Sequence, residues 1–207
     1  MSVEVWLAFV GASVILLIIP GPTILTVISY SVALGRKANV PLVAAVALGD
    51  STALVLSLLG LGALLALSAV WFTAVKLAGG LYLVYLGLKL FRAGISASEM
   101  APAQPGSRWR LFANTYLITA LNPKGMIFFV AFLPQFLNPA GDVRRQLWVL
   151  SVTFVVLATI NATLYALFAA TARRILSSPR AQRRFNLLGG SLLTGAGVWA
   201  LFARRVA

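Results

Sequence analysis

An apolar run from about Trp6 to Leu34 is interrupted at its middle by Ile19-Pro20-Gly21-Pro22-Thr23. Proline withholds a backbone donor and its ring collides with the preceding turn, which costs about 3 kcal/mol or more in a helix interior. In a bilayer no solvent repairs that loss, so such a break survives only inside protein or beside a polar cavity. The stretch predicts a membrane helix broken into two halves, with a site built around the break.

The bilayer reading rests on composition. The 207 residues are 60% hydrophobic and 10% charged, with a mean hydropathy of +0.95; a soluble domain carries about 25% charged residues. The formal charge of +13 would suit nucleic acid. However, the arginines cluster between apolar runs, as in cytoplasmic loops facing anionic lipid. The bilayer is therefore an expected partner and nucleic acid is not. The chain has no cysteine and no histidine, which excludes disulfides, thiolate clusters, imidazole acid–base chemistry and most transition-metal sites. No cofactor is expected. Of four acidic residues only one lies clearly inside an apolar segment, which argues against paired-carboxylate hydrolysis and against an enzyme. The start, Met1-Ser2-Val3-Glu4, lacks the basic region of a signal peptide, so the first helix is expected to stay in the mature protein.

Six apolar segments come near the roughly 20 residues a bilayer needs: about 4–34, 40–68, 70–91, 111–137, 147–172 and 185–203. Loop charge orients them. The first connection holds Arg36 and Lys37. The third holds Lys89, Arg92, Arg108 and Arg110, and the fifth Arg173, Arg174, Arg180, Arg183 and Arg184. The other side has Arg144, Arg145, Arg204 and Arg205. An excess of positive charge inside puts those three connections in the cytoplasm and both termini outside. Trp6, Trp71, Trp148 and Trp199 then fall at the outer interface and Trp109 at the inner one.

Residues 93–107 are rich in Ala, Ser, Pro and Gly and read as a cytoplasmic linker between two units, 1–92 and 108–207. The units look related. Gly79-Gly80 and Gly87 recur as Gly189-Gly190 and Gly197, 110 residues later. Each unit also opens with a broken helix, at Pro20-Gly21-Pro22 and at Asn122-Pro123-Lys124-Gly125. Three helices is an odd number, so the second unit must be inverted. The expected fold is all-α, with six transmembrane helices in two inverted three-helix repeats, an arrangement typical of transporters.

The breaks have a polarity. Asn is a preferred N-cap and Pro is favoured at the first helical position. Asn122-Pro123 and Gly21-Pro22 therefore each read as the start of a half-helix, whose free N–H groups attract a carboxylate. Asp50 follows Gly49 in the second segment, roughly 16 Å from its cytoplasmic end. A charge at that depth faces the bundle interior and serves transport or proton relay; Asp50 is the candidate proton carrier, contact for a substrate ammonium, or both. Lys124 follows the second break and can pair with Asp50 or hold a substrate carboxylate. Lys76 lies roughly 9 Å inside the third segment, close enough to join the site or to snorkel outward. Asn161 either bonds across helices or lines the path. The candidate binding set is Pro20, Gly21, Pro22, Thr23, Asp50, Lys76, Asn122, Pro123 and Lys124.

These residues carry a resemblance. Pro20-Gly21-Pro22, Gly49-Asp50, Lys76 with Gly79, Tyr82-Leu83, Leu86-Gly87 and Asn122-Pro123-Lys124 resemble the LysE/RhtB family of bacterial amino-acid exporters over essentially the whole chain. The resemblance implies export of amino acids or their derivatives across the inner membrane, coupled to proton entry. Thr23 departs from the asparagine that the family often carries after the first motif, which puts substrate preference in question. Two other readings stay open: a passive channel or facilitator, and a small-cation or metal exporter of related architecture. One carboxylate flanked by lysines is a poor cation cage. Monomer and homodimer are equally compatible with the chain.

Overall fold

A computed structural model of the chain describes residues 1–67, 77, 81, 84–85, 87–88, 91, 107–138, 140–176 and 178–202. All regular structure among them is helical. Lys76, Gly79, Tyr82, most of the expected third helix and residues 93–106 of the expected linker lie outside the described residues.

The first apolar run forms α1 (Val3–Ile18) and α2 (Pro22–Leu34), separated at the proline pair. Ser2 caps α1, its hydroxyl accepting from the Val5 N–H. Gly35, at φ 67°, ends α2 in a conformation that a side chain would disfavour. A 3-10 turn (Gly35–Ala38) leads into α3 (Asn39–Leu67). The apolar stretch from Pro22 to Gly60 is not one straight rod. Gly21 and Asp50 line one cavity, whereas the straight rise between them would be about 44 Å. The chain doubles back at the 3-10 turn, and Val27 and Val46 share a buried cluster across it.

A second broken helix follows residue 107. Helix α4 (Arg108–Ala120), capped by Ser107, stops before Asn122, and α5 (Pro123–Ala131) restarts there and runs into a second 3-10 turn (Leu133–Phe136). The two parts bend by 41°. Helix α6 (Val143–Leu167) is capped by Asp142, which accepts from the Arg145 N–H. Phe168 separates it from the short basic α7 (Ala169–Leu176), and α8 (Pro179–Phe202) follows.

The two broken helices run antiparallel. Phe9 of α1 meets Phe136, and Ile19 meets Lys124. Past the break, Thr23 meets Asn122 and Tyr30 meets Asn114. As numbers rise along one, they fall along the other. Helix α6 lies beside α1 in the same direction, with Thr153 opposite Trp6 and Asn161 opposite Leu17.

Packing follows from small residues and aromatics. Ala158, Ala162 and Ala166 form the inward face of α6, and small side chains let helix backbones approach. Val152, Val156, Ile160 and Leu164, each about half exposed, form its outward face. A helix apolar on both faces is a membrane helix. Phe9, Phe128, Phe129, Phe132, Phe136 and Phe154 fill the space beside the α1–α5 pair, with Phe129 edge-on to Phe154 at 4.7 Å between ring centroids.

Candidate translocation site at the two helix breaks

The last four carbonyls of a helix have no donor within it. In α1 the sequence makes this permanent for two of them: the Leu16 and Ile18 carbonyls would need the N–H groups of residues 20 and 22, both proline. Other helices supply the donors. Lys124 Nζ donates to Leu16 O at 2.8 Å and to Ile19 O at 2.6 Å. Asn161 Nδ2 donates to Leu17 O at 3.1 Å, and Tyr165 Oη to Ile18 O at 2.8 Å. The ammonium also sits at the negative end of the α1 dipole, where a cation is favoured.

The same region holds the starts of two half-helices. Gly21 caps α2 without a side chain, so the first turn has no side-chain acceptor; the first backbone bond runs from Leu25 N to Gly21 O. The Thr23 and Ile24 N–H groups are therefore the unpaired donors of a helix start. Asn122 caps α5, its Oδ1 accepting from the Lys124 N–H, while its Nδ2 donates to Thr23 Oγ1 at 3.1 Å. One amide thus finishes the second break and ties it to the first.

Asp50 comes to the site on α3. Its neighbour Gly49 packs against α4 so closely that an added Cβ would lie 2.7 Å from Thr119 Cβ and 3.1 Å from the Tyr116 carbonyl. Thr52 and Tyr116 join hydroxyls at 3.1 Å beside this contact. Asp50 lines a cavity of about 50 Å³ together with Gly21, Thr23, Asn122, Lys124 and Asn161, with Val46, Phe154 and Ala158 among the apolar walls. That volume holds about one or two waters at the roughly 30 Å³ each takes in the liquid. Among the described residues, Asp50 has no hydrogen-bond partner and no cation within 4.0 Å.

Of the predicted set, Gly21, Thr23, Asp50, Asn122 and Lys124 line this one cavity. Pro20, Pro22 and Pro123 shape the backbone around it instead. Lys76 lies outside the described residues. Asn161 both lines the cavity and bonds across helices. The Lys124 ammonium rests on two carbonyls rather than on Asp50. Sequence reasoning missed Tyr165. Its signal was its place four residues after Asn161, which puts both side chains on one helix face.

The sequence model of the LysE type translocator family matches residues 14–204. The chain belongs to that family. It is a membrane translocator, not an enzyme. Among curated relatives, an uncharacterized membrane protein of Vibrio cholerae serotype O1 is 33% identical over 96% of this chain and 97% of its own length. The homoserine/homoserine lactone efflux protein of Salmonella typhimurium is 31% identical over 99% of both chains. The leucine efflux protein of the same organism is 29% identical over 74% of this chain and 70% of its own. No solved structure matches the chain significantly.

Proposed function

We propose that this translocator is a secondary transporter that exports amino acids or amino-acid derivatives across the bacterial inner membrane in exchange for protons. The observation that carries the reading is the meeting of both helix breaks around the carboxylate of Asp50, which has no hydrogen-bond partner among the described residues. The efflux names of two relatives support the substrate class.

The architecture that goes with it is six spans in two inverted repeats, 1–92 and 108–207, joined by a cytoplasmic linker at 93–107, with both termini periplasmic. The antiparallel course of the broken helices supports the inversion. The matched direction of α1 and α6 fits the loop charges. An amino acid places its ammonium on Asp50. Its carboxylate faces the half-helix starts at Pro22 and Pro123, with Lys124 lending charge from its seat on the α1 carbonyls. Protonation of Asp50 from outside weakens the hold on the ammonium and favours release; deprotonation inside resets the site.

The test uses proteoliposomes holding the purified protein and radiolabelled leucine or homoserine. Accumulation against the substrate gradient is expected when a proton gradient is imposed and should collapse with a protonophore. Asp50→Asn should lose the proton-driven component while reaching the membrane in normal amount. Full uphill transport by that variant would overturn the coupling role. Downhill equilibration indifferent to protons would instead mark a facilitator.

A further inference from the structure

The export reading uses Asp50 and the half-helix starts, but not the side chains on the α1 carbonyls. Asn161 and Tyr165, one turn apart on α6, hold two of those carbonyls, and Lys124 holds the other two. The arrangement is specific to this break. Proline removes the i+4 donors of Leu16 and Ile18, so continuing the α-helix cannot satisfy either carbonyl. In a membrane interior an unpaired carbonyl is strongly disfavoured. The three side chains therefore decide where the end of α1 sits, and with it where the Lys124 ammonium sits. That ammonium shares a cavity with the Asp50 carboxylate, which has no hydrogen-bond partner among the described residues. Its two bonds to α1 compete with the attraction of that opposite charge.

Resting on the export reading, we infer that Asn161 and Tyr165 are positioning residues: they anchor the end of α1 so that Lys124 stays on its carbonyls and Asp50 stays open to a substrate ammonium. When the anchor fails, the end of α1 shifts, the ammonium moves to Asp50, and the substrate must compete with an internal cation.

The variants are Tyr165→Phe, Asn161→Leu and the donor-preserving Asn161→Gln. Concentration dependence of leucine and homoserine export is measured in proteoliposomes. Tyr165→Phe and Asn161→Leu should raise the half-saturating concentration about three- to ten-fold, as expected for one lost hydrogen bond, with the maximal rate per folded protein preserved. Asn161→Gln should restore most of the affinity. A second measurement does not need transport. The chain has no cysteine, and a Cβ at Gly21 would meet Lys124 Cδ at an ordinary 3.5 Å, so Gly21→Cys places a single reporter thiol beside the ammonium. The thiolate is the reacting form and a neighbouring ammonium stabilises it, so its alkylation rate should fall when Tyr165→Phe or Asn161→Leu is added and the ammonium leaves for Asp50.

Unchanged half-saturation and unchanged alkylation in both variants would overturn the inference. So would a loss confined to the amount of folded protein. If the unaltered protein exports neither leucine nor homoserine, the export reading fails for those substrates, and the reporter thiol still judges the anchor.

Discussion

Gly49 and Asp50 divide two tasks between neighbours. The glycine brings α3 against α4, and that approach sets the depth and direction from which the carboxylate enters the cavity. Gly49→Ala should lower thermal stability in detergent by about 1–3 kcal/mol, because its methyl group would press on Thr119 and on backbone. Gly60→Ala, with nothing within 4 Å of an added Cβ, is the control and should be neutral or slightly stabilising. Equal melting temperatures for the two variants would show that the helices can part without penalty. At this scale Asp50 was legible in the sequence because a charge in an apolar run is conspicuous. The seat of Lys124 was not, since a lysine near a carboxylate suggests an ion pair. The competing acceptors were backbone carbonyls that the prolines had stripped of partners, and carbonyls carry no residue identity to read.

Among the elements, α5 is the one whose start does two things. The Asn122 side-chain oxygen Oδ1 caps the helix and its side-chain nitrogen Nδ2 reaches Thr23 across the breaks. The two roles separate chemically. Asn122→Asp keeps the cap and loses the donor; Asn122→Ala loses both. The alanine variant should be destabilised by about 0.5–2 kcal/mol through the missing cap. The aspartate variant should retain more of that stability yet lose export activity, measured as melting temperature beside transport rate. Activity surviving in Asn122→Asp would show that the tie between the breaks is dispensable.

Helix starts marked by caps and prolines were readable at both breaks. Other limits were not. Expected to begin near 185, α8 begins at Pro179 because Arg180, Arg183 and Arg184 lie on its first turns, and a basic cluster resembles a loop when judged by hydropathy. Similarly, α6 begins at Val143 rather than 147, started by the Asp142 cap ahead of Arg144 and Arg145. The interruption at Phe168, between α6 and α7, involves neither glycine nor proline and left no mark in the sequence.

For the whole molecule, the proposed orientation rests on loop charge and can be checked on a cysteine-free background. Ala140 and Lys37 are both exposed, in the α5–α6 connection and in the first 3-10 turn respectively. In intact cells a membrane-impermeant maleimide should label Ala140→Cys at once. Lys37→Cys should react only after permeabilisation. The reverse pattern would invert the molecule and, with it, the direction of the proposed export.

The four carbonyls at the end of α1 also set an order of events during synthesis. Their donors belong to residues 124, 161 and 165, so the first span leaves the ribosome more than a hundred residues before anything can complete it. Until α6 is inserted, the nascent break must keep company with water, with the insertion machinery or with lipid headgroups. A chain truncated before Val143 would hold α1 with the Leu17 and Ile18 carbonyls bare. Among the described residues, the first helix is thus finished by side chains from beyond residue 107 rather than from its own half of the chain.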